Sequence, residues 1–175
     1  MTRRCIAALL ATLAAPAVAL AQGASVRTYE AAIVGAKGAP IGKLAIRSSE
    51  NATVVRIAIE PGGLAPGWHG VHFHSVGDCS DVDRFERAKG HVNHENAQHG
   101  LLNPEGPEEG DLPNIHANPD GSANAELSSE SIVLMGPQGL KDSDGSALVI
   151  HANEDDHMSQ PIGNAGARVA CAVIK

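Results

Sequence analysis

The chain is 175 residues long, and its composition indicates one all-β domain of ordinary size rather than a helical bundle. Hydrophobic residues make up 43% of the chain, which is enough for a packed core, and 19 glycines and 10 prolines favour a turn-rich fold. The formal charge is −7 and no basic cluster is present, which argues against nucleic-acid binding. Because only four residues are aromatic, the core must consist mainly of Val, Ile, Ala and Leu.

The first 21 residues have the pattern of an export signal. Two arginines near the start precede an apolar stretch over residues 6–18, and a small-x-small cleavage site ends the segment. The apolar stretch is shorter than the ~20 residues that a membrane-spanning helix needs. We therefore predict that residues 1–21 are removed and that residues 22–175 form a periplasmic domain without a membrane anchor. Both the Sec and the twin-arginine routes agree with this pattern.

Removal of the signal leaves two cysteines, Cys79 and Cys171. An even pair of cysteines in an exported chain favours a disulfide, because the compartment is oxidising. The bond would close a loop of about 92 residues, for which chain entropy gives at most about 4.6 kcal/mol of stabilisation. A zinc site built on the two thiolates is the weaker alternative, since their separation matches no zinc-binding spacing.

Alternation of apolar and polar residues predicts eight short strands, separated by turns and loops rich in Gly, Asn and Ser. No stretch has the periodicity of a long helix. Short, evenly spaced strands of this kind are typical of a β-sandwich or a Greek-key barrel. The predicted strands are residues 26–34, 41–46, 53–59, 68–75, 115–117, 122–127, 147–151 and 168–174.

Two long polar segments, residues 77–111 and 153–166, interrupt the strand pattern. Loops longer than ~12–15 residues in a compact domain are usually functional or disordered. The two segments contain several of the nine histidines, which favours a functional role.

The most specific local feature is His72-Phe73-His74. In a strand, residues i and i+2 point to the same face, so both imidazoles can converge on one metal ion while Phe73 packs on the other side. Imidazole suits copper and zinc, and a carboxylate is an accepted zinc ligand. A structural zinc, a hydrolytic zinc and a redox copper are therefore all open at this point. Further potential ligands are His91, His94, His99, Asp111 and His151.

A family signal comes from six sequence blocks: 67–74 (GWHGVHFH), 77–79 (GDC), 90–93 (GHVN), 98–100 (QHG), 110–113 (GDLP) and 163–171 (GNAGARVAC). In this order, the blocks resemble those of the bacterial exported copper–zinc superoxide dismutases, and the resemblance covers essentially the whole chain after residue 21. It implies an eight-stranded Greek-key β-barrel with long metal-binding and electrostatic loops. It also implies superoxide as the substrate, converted to dioxygen and hydrogen peroxide by a redox-cycling copper ion beside one zinc ion.

The resemblance implies a role for each matching residue. His91 matches a copper ligand that also bridges to zinc as an imidazolate. Arg168 matches an arginine beside the copper that attracts and orients small anions. Asp155 matches a carboxylate that ties a copper-ligand histidine to a zinc-ligand histidine. The implied copper ligands are His72, His74, His91 and His151.

One zinc ligand departs from the family pattern. His99 and Asp111 match zinc ligands, but the position nine residues after His99 holds Glu108, where the family has a further histidine. Three interpretations follow: Glu108 binds zinc, His94 replaces the missing histidine, or zinc binds weakly and the protein is a copper-only enzyme. Spacing favours Glu108, because it occupies the ligand position without a change in the backbone.

The remaining matches are structural. Cys79 and Cys171 match the disulfide of the family, and His69 matches a histidine that is hydrogen-bonded to the backbone. His116 and His157 have no counterpart among the family's metal ligands. The sequence is compatible with a monomer or a homodimer.

Two rival functions remain weaker. A copper storage or delivery protein on the same barrel would have no need for an anion-orienting arginine such as Arg168. A zinc hydrolase is disfavoured because no general-base carboxylate stands out and the implied copper positions are all imidazoles.

Overall fold

The computed structural model describes residues 25–175, which form a nearly closed barrel of eight antiparallel strands. Within this part of the chain the only helix is one 3₁₀ turn, Glu86–Ala88, and no helix there is long and apolar enough to cross a membrane. The predicted all-β fold is confirmed, whereas the predicted signal over residues 1–21 lies outside the described residues. The strands are β1 (Arg27–Gly35), β2 (Pro40–Ser48), β3 (Thr53–Ile59), β4 (Gly67–His74), β5 (Asp111–Ala117), β6 (Ala123–Ser129), β7 (Ser146–His151) and β8 (Arg168–Ile174).

The hydrogen-bonded strand order is β5-β4-β7-β8-β1-β2-β3-β6. The connections β3–β4, β5–β6 and β6–β7 join strands that are not hydrogen-bonded neighbours, which gives the predicted Greek-key arrangement. Seven strands begin and end within two residues of the prediction. The prediction for β5 was too short, because this strand begins at Asp111 rather than at residue 115 and includes Pro113. A proline is tolerated there because β5 lies at the end of the hydrogen-bonded order.

The core is aliphatic, as the composition predicts, with Phe73 as a fully buried aromatic residue. Phe73 and Ile150 point into the barrel from the paired strands β4 and β7. Because side chains alternate along a strand, the neighbouring His72, His74 and His151 lie on the outer face of the barrel. The two long loops cover this face, and all three histidines are buried. The barrel thus serves as a rigid support for a polar group beneath the loops.

The predicted disulfide between Cys79 and Cys171 is present. It fastens the long loop after β4 to strand β8, and both cysteines lie in a small buried cluster with Phe85 and Val149. The loop segment that carries Phe85 is therefore attached to the barrel by a covalent bond as well as by packing.

Replacement of both Cys79 and Cys171 by alanine is expected to lower the free energy of unfolding by about 2–5 kcal/mol. The reason is that the denatured chain regains the freedom that a closed loop of 92 residues denies it. Urea unfolding of the double variant measures the loss, and the chemically reduced wild-type protein is the control without a cavity. Unfolding of oxidised wild type and double variant at the same urea concentration would contradict this account.

Candidate metal centre

Four histidines meet on the outer face of the barrel. His72 and His74 lie on β4, and His151 ends β7, which pairs with β4. His91 lies in the long loop and forms an isolated backbone bridge with His74. Each residue contributes one ring nitrogen to a group whose atoms all lie within 4.8 Å of one another. The structure therefore brings together the four residues for which the resemblance implies copper binding.

One nitrogen of each ring is occupied by a hydrogen bond. His72 Nε2–H donates to Asp155 Oδ2 at 2.7 Å, and the Nδ1–H groups of His74 and His151 donate to backbone carbonyls at 2.8 and 3.0 Å. His91 Nδ1 lies 2.5 Å from a carboxylate oxygen. A neutral imidazole that donates from one nitrogen carries a lone pair on the other. These bonds thus decide which nitrogen of each ring can bind a metal.

The other nitrogen of each ring is buried and has no hydrogen-bond partner, which is costly for a polar atom unless a ligand binds it. Four converging imidazole lone pairs suit copper, so the residues fit the metal that the resemblance implies. The four atoms are His72 Nδ1, His74 Nε2, His91 Nε2 and His151 Nε2.

Burial favours the neutral form of three of these rings. Desolvation lowers the pKa of His72 to about 4 and the pKa of His151 to about 3. Burial also lowers the pKa of His74 well below its ordinary value, and the charges of His91 and Arg168 add to this effect. At neutral pH the three rings therefore present lone pairs, which is the state that metal binding requires.

A second group of donors lies on the other side of the His91 ring. His91 Nδ1 is 2.5 Å from Glu108 Oε2 and 3.4 Å from Asp111 Oδ1. His99 Nδ1 is 2.8 Å from Asp111 Oδ1 and 3.4 Å from Glu108 Oε2. Burial alone would lower the pKa of His99, but hydrogen bonds to Asp111 and Asp155 raise it to about 11. Two imidazole nitrogens and two carboxylate oxygens make a donor set that zinc accepts. We call these atoms of His91, His99, Glu108 and Asp111 the zinc-side donors.

Asp155 connects the two groups. Its Oδ2 atom accepts from His72, and its Oδ1 atom lies 3.2 Å from His99 Nε2. Asn114 fixes the backbone of Asp155 through two hydrogen bonds, at 2.8 and 2.9 Å. Gly163 has a φ of 57° and lies so close that a Cβ atom would be 1.7 Å from Asp155 Oδ1. The contacts of Asn114 and Gly163 with Asp155 have no local signal in the sequence, since they exist only in the folded chain.

Arg168 lies opposite His151 across the β7–β8 pair. Its guanidinium donates to the carbonyl oxygens of Phe85 and Lys89, both at 2.6 Å, and these bonds fix its orientation. Burial and the charges of the neighbouring histidines are the larger causes of the low pKa of His151, and the charge of Arg168 adds to them. A surface pocket of about 310 Å³, which is also lined by Arg84, lies beside the guanidinium. A fixed cation thus lines an open pocket and is close enough to His74 and His151 to contribute to the low pKa of both.

Comparison with known proteins identifies the family of the chain. The family model for copper/zinc superoxide dismutase (SODC) matches residues 41–174. The chain belongs to the copper/zinc superoxide dismutase family. A copper–zinc superoxide dismutase of Caulobacter vibrioides is 47% identical to it over 150 residues, which are 83% of this chain and 84% of the relative.

Solved structures show the same fold. A superoxide dismutase-like protein from Bacillus subtilis matches with a TM-score of 0.77 and 31% identity, covering 83% of this chain and 97% of the other. A Cu/Zn superoxide dismutase from Brucella abortus matches with a TM-score of 0.69 and 26% identity, covering 85% of this chain and 100% of the other. The predicted family is confirmed, and with it superoxide dismutation as the activity and copper and zinc as the metals.

Four other histidines lie outside both donor groups. His94 is exposed, and its backbone N–H donates to Glu109 Oε2 at 3.0 Å, so the structure does not bring it to the zinc-side donors. His69 is buried, with both ring nitrogens bonded to backbone carbonyls. His116 is exposed, and His157 is bonded to an asparagine amide at 3.1 Å.

Lys89 has a backbone conformation that favours glycine. Its φ of 67° and ψ of −149° lie in a region where a side chain costs of order 1–3 kcal/mol. The carbonyl oxygen of the same residue accepts hydrogen bonds from His74 and Arg168. The strained backbone thus supports both a candidate copper ligand and the candidate anion-binding arginine.

Replacement of Lys89 by glycine is expected to raise the free energy of unfolding by about 1 kcal/mol. The gain is smaller than the full strain, because glycine also adds conformational freedom to the unfolded chain. Thermal unfolding of the metal-free protein measures it, and Lys89→Ala, which keeps the Cβ atom, is the matched control without the gain. Equal stability of the glycine and alanine variants would show that the backbone at this position is not strained.

Proposed function

We propose that this chain converts two superoxide ions and two protons into dioxygen and hydrogen peroxide at a four-histidine copper site. The observation that carries the proposal is the group of four histidines, each of which offers one ring nitrogen within 4.8 Å of the others and has one buried ring nitrogen without a hydrogen-bond partner. Copper bound there supplies the one-electron redox chemistry that the reaction needs. The proposed ligands are His72 through Nδ1 and His74, His91 and His151 through Nε2.

His91 would belong to both metal sites. Its Nε2 atom is a member of the copper group, and its Nδ1 atom faces the zinc-side donors, which include His99 and Asp111. The residues that would hold zinc at Nδ1 would also fix the ring so that Nε2 faces the other three copper-side histidines. His91 Nε2 could then hold one of the two protons that peroxide formation requires.

Asp155 acts through the rings that it contacts. Because His72 Nε2 donates to one of its oxygens and His99 Nε2 lies near the other, the carboxylate fixes both rings at once. Each ring then has only Nδ1 left for a metal. The copper-side and zinc-side donors are thereby held in one mutual arrangement before any metal binds.

Arg168 would attract and orient the substrate. A protein with a formal charge of −7 repels an anion on average, so a fixed positive charge beside the reaction centre is needed for rapid capture. The two hydrogen bonds to backbone carbonyls hold the guanidinium in place, so that little rearrangement is needed when an anion arrives.

We also infer that the chain acts in the periplasm after loss of residues 1–21. The composition of that segment supports export, and the disulfide agrees with an oxidising compartment. N-terminal sequencing of the protein purified from cells tests this inference.

The test of the proposed function is metal loading followed by rapid kinetics. Metal-free protein is loaded with copper and zinc, its metal content is measured by mass spectrometry, and superoxide decay is followed by stopped-flow absorbance. We expect copper in every chain and decay that approaches the diffusion limit. Failure to bind copper would overturn the proposal. Copper binding without faster decay would overturn it as well and would favour a storage or delivery protein.

A further inference from the structure

The position of Glu108 relative to the zinc-side histidines carries an inference beyond the family pattern. Glu108 Oε2, Asp111 Oδ1 and the Nδ1 atoms of His91 and His99 form a four-atom group, in which each nitrogen lies within 3.4 Å of both oxygens. In a tetrahedral site with zinc–ligand distances of about 2.0–2.1 Å, neighbouring ligand atoms are about 3.3–3.4 Å apart. Two of the four nitrogen–oxygen distances already have this length.

The other two nitrogen–oxygen distances are hydrogen bonds of 2.5 and 2.8 Å. Each has to lengthen by less than about 1 Å to reach the separation of a tetrahedral zinc site. Side-chain torsions can supply a change of this size without movement of the backbone. The group therefore has the composition of a zinc site with two imidazoles and two carboxylates, and its nitrogen–oxygen distances come within about 1 Å of those in such a site.

Glu108 is held so that Oε2 faces the two histidines. Its other oxygen, Oε1, accepts a hydrogen bond from Asn93 Nδ2 at 2.8 Å. Its backbone N–H donates to Asp111 Oδ2 at 3.0 Å, and its carbonyl accepts from the Asp111 N–H at 3.1 Å. The Glu108 side chain is only 14% exposed. These contacts fix the carboxylate before a metal binds, which is how ligands of metal sites are usually supported.

Glu108 and Asp111 present their carboxylates to the same two rings. Oε2 of Glu108 and Oδ1 of Asp111 each lie within 3.4 Å of the Nδ1 atoms of both His91 and His99. A cation bound between the two rings would therefore contact two carboxylate oxygens. His94, the alternative ligand, is exposed and provides no atom to this group.

We infer that Glu108 is the fourth zinc ligand, so that zinc in this protein is bound by two imidazoles and two carboxylates. This inference rests on the proposed function, because it takes His91, His99 and Asp111 as the other three ligands. The zinc-side donors of this chain then carry one more negative charge than three histidines and one aspartate would.

The experiment compares Glu108→Gln with Glu109→Gln and Glu108→His. Glu109 is the matched control, since it is the adjacent carboxylate in the chain and bonds only to the backbone N–H groups of His94 and Glu95. Metal-free protein is titrated with Zn²⁺ against a competing chelator. Loss of an outer hydrogen-bond partner usually weakens metal binding 10–100-fold, so loss of a direct ligand is expected to weaken zinc binding by at least about 100-fold.

We expect Glu108→Gln to lose zinc affinity to this extent, while Glu109→Gln stays within about threefold of wild type. Glu108→His places an imidazole at the position from which Glu108→Gln removes the carboxylate, and we expect this variant to retain zinc. That result would show that the position tolerates substitution. Co²⁺ in the same site gives a visible absorption spectrum that depends on the ligands. We expect this spectrum to differ between wild type and Glu108→His, because a carboxylate oxygen is exchanged for an imidazole nitrogen.

Equal zinc affinity of wild type and Glu108→Gln would overturn the inference, as would identical Co²⁺ spectra of wild type and Glu108→His. The copper content and superoxide decay of the same samples separate this failure from failure of the proposed function. Wild-type protein that binds copper and accelerates decay but does not need Glu108 for zinc would leave the proposed function standing. Wild-type protein that binds no copper would contradict the proposed function itself.

Discussion

Replacement of His151 by alanine is expected to remove copper binding at stoichiometric metal and to slow superoxide decay by at least about 100-fold. His151 Nε2 is the unpartnered buried nitrogen of one of the four candidate copper ligands, and removal of one imidazole from a set of four leaves the copper site incomplete. Mass spectrometry of the loaded protein measures the metal, and stopped-flow absorbance measures the decay.

The control for this variant is His116→Ala. His116 is an exposed histidine that packs against Trp68 with ring centroids 5.0 Å apart, and it belongs to neither donor group. We expect His116→Ala to keep wild-type copper content and decay rate. The comparison therefore separates loss of a specific ligand from loss of any imidazole.

Stability distinguishes a ligand from a structural histidine in the same experiment. A buried polar atom without a partner destabilises the folded state, so its removal offsets part of the cost of the cavity that alanine leaves. Metal-free His151→Ala should therefore lose less stability than metal-free His69→Ala, because both ring nitrogens of His69 are hydrogen-bonded. If metal-free His151→Ala were the less stable variant, His151 would serve the fold more than the metal.

The sequence predicts those parts of the molecule that local periodicity determines. The strand period of two places His72 and His74 on one face and Phe73 on the other, and the structure has this arrangement. The same reasoning failed at the start of β5. This strand begins at Asp111 and includes Pro113, which an edge strand accommodates because a proline lacks the backbone N–H that a neighbouring strand would need.

The supporting contacts of the centre could not be predicted, because they join segments that are distant in the chain. Asn114 bonds to Asp155 across 41 residues, and Arg168 bonds to the Phe85 carbonyl across 83 residues. Periodicity in the sequence cannot predict such contacts, because they depend on how the two long loops fold over the barrel. The position of Glu108 was predicted from spacing, but the choice between Glu108 and His94 depends on which side chain is buried beside His99.

Replacement of Arg168 by glutamine is expected to lower the second-order rate constant of superoxide decay about 10–100-fold and to change its salt dependence. In the wild type, salt should slow the reaction, because it screens the attraction between Arg168 and the anion. In the variant, salt should leave the rate unchanged or raise it, because the remaining formal charge is negative and screening weakens repulsion. The rate is measured by stopped flow as a function of ionic strength on samples of equal copper content.

Two further variants separate charge from orientation. Arg84 lines the same pocket but is exposed and paired with Glu86, so Arg84→Gln should change the rate by less than about threefold. Arg168→Lys keeps the charge but loses the planar fork that bonds to two backbone carbonyls, and its rate should lie between wild type and Arg168→Gln. If Arg84→Gln and Arg168→Gln changed the rate and its salt dependence equally, the overall field would govern capture. A larger change in the rate constant for Arg168→Gln than for Arg84→Gln would show that the fixed position of the Arg168 charge beside the four histidines is important for capture of the anion.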